Sequence, residues 1–432
     1  MTSKRKNAFI VSSLALALGL FGGPAQAVPV LGLEQAYVSA IQKTETVPIA
    51  EATTRQAEEL VSQAKGAIFP TINLVGTYTR QDTGNAPTSS FTDPVQYNAR
   101  LNLNQPIFRG LREFAAVRGT NANYAAQVAA ESQTRVELYR TVGDAFYGHL
   151  SAQQDLRNLN HLLELTEKRV AEINQRVRIG RSRNGESLTA QVQRSTVTAQ
   201  LEAAKAVAAQ AKRNFELVTG VSGEFSLQDS VQLPNPLPSV DAYFSRVESR
   251  YDVRAQVERV EASEAEVSVA WGAHLPSIDF GANYYLARTG VLRDTKWDVG
   301  LSATFPLFQG GVIQSEVREA AERRKVAELG LSRLRRTAQE TILINYDFLV
   351  STQKQIEAYK SALEISEKNY REQLRDYSLG LTTNLDVLQA LNSFVDTQRA
   401  LDKTQFTAKQ AFIALETSVG SVPASAGLRS AQ

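Results

Sequence analysis

The sequence predicts a mostly α-helical protein with membrane-spanning β-strands, built from a duplicated unit of helix, strand pair, long helix and helix. Three observations support this prediction. The two halves share sequence motifs in the same order, and long segments carry the apolar pattern of a coiled coil. In two short segments of each half, apolar and polar residues alternate with period two. Together they indicate two copies of one complex unit rather than two compact globular domains.

The duplication is visible as landmarks of the first half that return in the same order in the second half. They are Pro106-Ile107-Phe108-Arg109-Gly110 and Pro306-Leu307-Phe308-Gln309-Gly310, Gly180 and Gly380, and Gly220 and Gly420. A repeat this long excludes the common short solenoids and indicates that each half needs its twin or further copies to close a structure. We place the first repeat at 28–232 and the second at 233–420.

The N-terminal segment has the features of a secretory signal peptide. Lys4-Arg5-Lys6 precedes the apolar stretch from Ala8 to Phe21, and Ala25-Gln26-Ala27 has the small-x-small pattern of a cleavage site. The alternative is a membrane anchor, but the apolar stretch is shorter than the roughly 20 residues that span a bilayer. We therefore expect residues 1–27 to be removed.

The composition limits the classes of protein to which the chain can belong. Removal of the three positive charges of the signal peptide changes the formal net charge from +2 to −1, which does not favour nucleic acid as a partner. The chain contains no cysteine, which suits an oxidising compartment without disulfides and excludes a lipidated N-terminal cysteine. The tail at 421–432 is expected to be disordered.

Coiled-coil seams predict very long helices. Apolar residues recur in alternating steps of four and three between Leu138 and Val177, and the second half carries the same stripe between Ile342 and Tyr377. Because no proline lies between 111 and 178, one helix could extend for about 100 Å at 1.5 Å per residue. Shorter helices are expected at 33–64 and 239–270, and return helices at 188–219 and 385–418.

Period-two alternation predicts four strands of membrane-spanning length. They are expected at about 70–80, 97–106, 276–287 and 296–306, with loops at 84–89 and at Thr289-Gly290. Each is about ten residues long, the length of a tilted strand that crosses a membrane with one apolar and one polar face. The alternative is an ordinary antiparallel sheet with one solvated face.

Four strands cannot close a barrel, and an open edge in lipid would leave backbone groups unpaired. Several chains would therefore have to share one barrel. Two chains would supply eight strands around an interior filled with side chains, whereas three would supply twelve strands around a lumen.

The order of these motifs resembles that of the TolC-like outer-membrane efflux and secretion channels. The resemblance covers nearly all of the chain after the signal peptide. It rests on Leu33-Glu34-Gln35-Ala36-Tyr37, the strand-initial Pro70 and Pro276, the duplicated Pro-x-Phe-x-Gly motif, and Tyr377-Ser378-Leu379-Gly380 followed by Leu385-Asp386-Val387-Leu388. It implies a homotrimer with a twelve-stranded β-barrel in outer-membrane lipid, continued by a hollow twelve-helix α-barrel through the periplasm. Such a channel would export substrate from an inner-membrane transporter through a periplasmic adaptor, or membrane fusion protein.

The resemblance also implies a gate. In that family the turns matched by Gly180 and Gly380 lie at the periplasmic tip, where an inner helical hairpin closes the channel. Tyr377 matches a tyrosine that hydrogen-bonds an acidic residue of the first repeat, here Glu186.

The entrance departs from the family pattern. Asp386 matches the first of two aspartates that ring the entrance, but the second falls on Gln389. A basic residue often found after the glycine falls on Thr382. The first repeat carries several bases around its own turn, namely Arg176, Arg178, Arg181 and Arg183. The resemblance therefore implies a mouth with less negative potential than is usual in the family.

The gate residues also have structural interpretations. Glu186 and Asp386 stand in the first turns of their helices, where a carboxylate offsets the helix dipole by about 0.3 to 1 kcal/mol. Tyr377 could be a seam residue, and the arginines could form a solvated tip.

No catalytic motif is present in the sequence. It contains no G-x-S-x-G, P-loop or glycine-rich phosphate motif, so it predicts neither an enzyme nor a cofactor site. His149 lies on the apolar stripe and is interpreted as a core histidine, and His161 and His274 show no metal-ligand spacing to it. The functional alternative is a periplasmic coiled-coil adaptor, or a structural protein of an export complex, without a membrane barrel. The paired strands favour the channel.

Overall fold

The computed structural model of the protein describes residues 29–82 and 93–423. The predicted signal peptide, the loop expected at 84–89 and residues 424–432 of the predicted tail lie outside the described residues.

Long helices alternate with short strand pairs in both halves. The first half contains β1 (Val30–Leu31), α1 (Leu33–Lys43), α2 (Thr46–Gly66), β2 (Thr71–Arg80), β3 (Val95–Arg109), α3 (Arg112–Arg178), α4 (Asn184–Thr219) and β4 (Ser226–Leu227). The second half contains α5 (Val240–Phe244), a 3-10 turn (Val247–Ser249), α6 (Tyr251–Gly272), β5 (Ser277–Arg288), β6 (Trp297–Thr304), α7 (Val312–Leu379) and α8 (Asn384–Ser418). The mostly α-helical class with strand pairs is thus confirmed.

The short helix expected before each strand pair is interrupted. In the first half, Thr44 is extended (φ −106°, ψ 158°) and separates α1 from α2. Pro48 lies in the first turn of α2, where its missing N–H is not needed, and a proline there cannot continue a preceding helix. In the second half, the 3-10 turn and the extended residue Arg250 separate α5 from α6.

The four long strands form one antiparallel sheet in the order β2-β3-β5-β6. The register places apolar residues together on one face, with Ile72 opposite Leu103 and Phe280 opposite Leu301. These side chains have little cover in the single chain, since Leu301 is 69% exposed. Within the described ranges, neither β2 nor β6 has a strand partner on its outer edge.

The opposite face of the sheet is polar. Asn73, Asn102, Asn283 and Asp298 occupy one register level across the four strands. The Asn102 amide donates to Asn283 at 3.0 Å, and the Asn283 amide donates to Asp298 at 2.8 Å. The sheet therefore has one apolar and one polar face, as the alternation predicts.

The helices bury narrow seams and do not surround a thick core. In the part of the chain that the structure describes, buried apolar side chains form separate clusters along the helices, around Phe146, Leu159, Ile173 and Ile342. Every position of the predicted α3 seam is buried or half-buried. No helix within residues 29–82 and 93–423 combines the length and apolar composition required to cross a membrane.

His149 packs against the cluster around Phe146 and is 3% exposed. Its ring stacks on Phe215 with the centroids 6.2 Å apart, and the Gln153 side-chain nitrogen lies 2.9 Å from Nε2. Nδ1 has no hydrogen-bond partner among the described residues. Burial lowers the pKa of His149 and the charge of Lys212 lowers it further, against a smaller opposing effect of Glu216. The residue is a neutral core histidine.

We expect His149 to make the protein less stable in mild acid. Its pKa is lower in the folded than in the unfolded chain, so between these two pKa values the unfolded chain binds more protons. The contribution is fully present above the unfolded value, about 6.5, and is lost as the pH falls through the window below it. His149→Gln should flatten this part of the profile, whereas His161→Gln, at an exposed imidazole, should not. Thermal melts between about pH 7.5 and about pH 5 measure the effect. Parallel profiles for wild type and His149→Gln would contradict it.

Candidate functional site

Two helical hairpins, α3–α4 and α7–α8, end in turns of the same geometry. In the first, Arg181 N–H donates to Arg176 C=O at 2.8 Å around Gly180, which has φ +75°. In the second, Leu381 N–H donates to Asp376 C=O at 2.9 Å around Gly380, which has φ +80°. This six-to-one bond satisfies a terminal carbonyl and needs the left-handed backbone that glycine adopts without strain.

The two predicted gate residues Tyr377 and Glu186 meet between these turns. The Tyr377 hydroxyl donates to Glu186 Oε2 at 3.1 Å, and Ser182 donates to the same oxygen at 2.6 Å. Tyr377 is only 7% exposed. A hydrogen bond to a charged acceptor is stronger than a neutral one, so this contact links the end of α7 to the start of α4.

Two arginines of α3 lie against the ring of Tyr377. The guanidinium carbon of Arg169 is 4.0 Å from the ring centroid, and that of Arg176 is 4.8 Å away. Both distances are within the range of cation–π attraction. Arg169 is also buried, and its Nε donates to Asn384 Oδ1 at 2.9 Å. Asn384 is the first residue of α8 and is itself buried. The cluster thus contacts all four hairpin helices.

Glu172 joins the two arginines. Its Oε2 accepts from Arg169 at 2.9 Å, and its Oε1 accepts from Arg176 at 3.1 Å. Sequence reasoning did not assign Arg169, Glu172 or Asn384 to the site. The available signal was the spacing of 169, 172 and 176, which places three charged side chains on one face of α3 next to its apolar seam.

The structure places Asp386 in a helix cap. Its Oδ2 accepts from Thr383 N–H at 3.0 Å and from the Thr383 hydroxyl at 2.5 Å, and Thr382 Oγ1 lies 2.9 Å away. The hydrogen bonds from Thr383, and then that from Thr382, hold the pKa of Asp386 below its usual range. The Asp386 carboxylate remains charged and exposed. Gln389, one turn further along α8, is also exposed.

The remaining predicted residues stand apart from this cluster. Arg178, Arg181 and Arg183 are exposed, and no ion pair forms on them within residues 29–82 and 93–423. Over the same described ranges, no group of three or more His, Asp or Glu side chains is arranged to hold a metal ion.

Comparison with known sequences identifies the family. Residues 36–221 and 245–421 match the family described as outer membrane efflux protein. Outer membrane efflux protein BepC of Brucella suis is 25% identical over 93% of this chain and 88% of its own length. Outer membrane protein TolC of Escherichia coli is 23% identical over 91% of this chain and 82% of its own length.

Solved structures share the fold. The CusC channel has a TM-score of 0.80 at 17% identity and is matched over 90% of this chain and 92% of its own. VceC of Vibrio cholerae has a TM-score of 0.77 at 21% identity, over 90% of this chain and 96% of its own. These matches confirm the predicted resemblance and speak against an adaptor without a membrane barrel. The chain therefore belongs to the outer membrane efflux protein family and is an outer-membrane export channel of the TolC type.

Proposed function

We propose that three copies of the chain assemble into one conduit, a twelve-stranded barrel in outer-membrane lipid continued by twelve helices in the periplasm. The observation that carries this proposal is the four-stranded sheet, whose apolar face is exposed and whose outer strands β2 and β6 have free edges in the described chain. Backbone groups at such edges cost several kcal/mol each in hydrocarbon, so other copies must pair with them. Three copies would give twelve strands around an open lumen, whereas the eight strands of two copies would enclose an interior filled with side chains.

The helices support the same assembly. On α7, the apolar residues Val326, Leu329 and Phe348 are all at least half exposed in the single chain. An exposed apolar stripe on a long helix is typical of a surface that packs against another subunit. A neighbouring copy would cover it and complete the helical wall.

We propose that the hairpin tips form the gate and the entrance. The Tyr377–Glu186 bond ties α7–α8 to α3–α4, and its loss would weaken the hold on the second hairpin. Asp386 and Gln389 would line the entrance, with Thr382 beside Asp386. Arg178, Arg181 and Arg183 would lower the negative potential around it.

Energy and cargo would come from partners. We propose that a periplasmic adaptor and an inner-membrane transporter deliver substrate to this channel, and that the chain itself carries out no chemistry. PrtF of Dickeya chrysanthemi, 22% identical, is named for protease secretion, and TtgC of Pseudomonas putida, 21% identical, is named for toluene efflux. Because one fold serves such different cargoes, we propose that the transporter selects the substrate.

The barrel is tested by charge placement on the two faces of β6. Leu301→Arg should reduce folding into the membrane by about 2 to 4 kcal/mol if Leu301 faces lipid at midplane, whereas the adjacent Ser302→Arg should be tolerated. The amount of trimer extracted from outer membranes with detergent measures both effects. Equal tolerance at the two positions, or a water-soluble monomer from the wild type, would overturn the proposed channel.

The gate is tested by removing one hydroxyl. Tyr377→Phe keeps the ring but removes the hydrogen bond to Glu186, and should weaken the closed state by about 1.5 to 3 kcal/mol, the range for bonds to charged groups. Conductance in planar bilayers should rise, and Glu186→Gln should act in the same direction. Unchanged conductance in both variants would assign the pair to helix packing alone.

The entrance is tested through ion selectivity. With Gln389 in place of a second carboxylate, cation preference should be weak and should depend on Asp386. Asp386→Asn keeps a hydrogen-bond acceptor for Thr383 and should abolish most of that preference, because charges more than about 8 Å from the pore are largely screened at physiological salt. Asp298→Asn, in a strand, is the control and should matter less. Reversal potentials in a salt gradient decide this, and strong cation selectivity that survives Asp386→Asn would place the entrance elsewhere.

A further inference from the structure

We infer that Arg169, assisted by Arg176, is the cationic half of the gate and holds the second hairpin closed through the ring of Tyr377 and the amide of Asn384. This inference rests on the proposed gating function and adds residues to it. The Tyr377–Glu186 bond joins α7 to α4, whereas Arg169 joins α3 to both α7 and α8.

The first step of the argument is geometric. Arg169 and Arg176 are seven residues apart on α3, two helical turns, so both side chains point to the same face of the helix. Both reach the ring of Tyr377, which lies in the last turn of α7. Glu172, between them, accepts a hydrogen bond from each and keeps the two like charges in place.

The second step concerns burial. The Arg169 side chain is 5% exposed, and its Nη2 has no hydrogen-bond acceptor among the described residues. Burying a guanidinium with an unmatched N–H is costly, and an apolar side chain of similar volume would pack at least as well. Packing therefore does not account for an arginine here. Its contacts with Tyr377 and Asn384 do, because both partners belong to the hairpin that would move.

The third step is the contrast with a neighbouring arginine. Arg178 lies two residues beyond Arg176 on the same helix, and it is exposed without an ion pair in the described chain. Arg176 and Arg178 thus share a position near the tip and a positive charge. The cation–π contact with Tyr377 distinguishes Arg169 and Arg176 from Arg178.

The test uses the full-length channel in planar bilayers. Arg169→Met removes the charge and the bond to Asn384 while filling the space, and should shift the closed–open equilibrium toward conduction by about tenfold. Arg176→Met, at the more exposed side of the ring, should give a smaller shift in the same direction. Arg157→Met, at an exposed arginine of α3 that hydrogen-bonds to Gln154 of the same helix, is the control and should behave as wild type.

A double-mutant cycle separates gating from general packing. If Arg169 acts through the ring, Arg169→Met should add little to Tyr377→Leu, so the two shifts should be clearly less than additive. The thermal stability of each trimer is measured alongside, and a purely structural role would change it without this non-additivity in conductance. If Arg169→Met does not assemble, the same cycle is run with Arg176→Met and Tyr377→Leu.

The outcomes distinguish this inference from the proposed function. A wild-type protein that forms no conducting trimer would overturn the proposed function itself. A conducting wild type in which Arg169→Met or Arg176→Met matches Arg157→Met, or in which the shifts are additive, would overturn only the role of Arg169 and Arg176.

Discussion

The free edges of the four-stranded sheet are the constraint on which the rest of the structure depends. In lipid, every backbone N–H and C=O needs a partner within the protein. In the described chain, β2 and β6 pair on one side only, so no single copy satisfies both edges. A closed barrel would also account for the alternation of apolar and polar residues along the strands. In the proposed barrel each strand would have lipid on one face and water on the other, which accounts for apolar Leu301 beside polar Ser302.

The helices answer a related constraint. A wall one helix thick is exposed to water on both sides and has no room for a central core, so each helix can bury only a narrow seam. This accounts for the separate clusters around Phe146, Leu159, Ile173 and Ile342. It also accounts for apolar residues on α7 that stay exposed in the single chain. Lateral contact between helices therefore supplies the burial seen in the described chain, and neighbouring copies in the proposed trimer would add to it.

The candidate gate could be predicted only in part. Gly180 and Gly380 mark the tips of the two hairpins, and the nearby residues Tyr377 and Glu186 are hydrogen-bonded to each other there. Arg169 was not found because its partner Asn384 lies 215 residues away and because arginine is rarely buried. For Asp386 the sequence allowed a pore role and a capping role. The structure adds the capping hydrogen bonds from Thr383, while the pore role depends on which surface faces the lumen.

The sequence by itself determined the features that depend on near neighbours. Helix seams, strand alternation and the glycine turns follow from residues a few positions apart, because the helical and strand periods are independent of what the element packs against. Only the tertiary structure decided the pairing of β3 with β5, the ion pair between Arg109 and Asp279 at 2.6 Å, and the contact of two arginines with the ring of Tyr377. The physical reason is that these contacts join residues far apart in the chain. Which of many possible partners they meet is set by the path of the backbone and not by any local pattern.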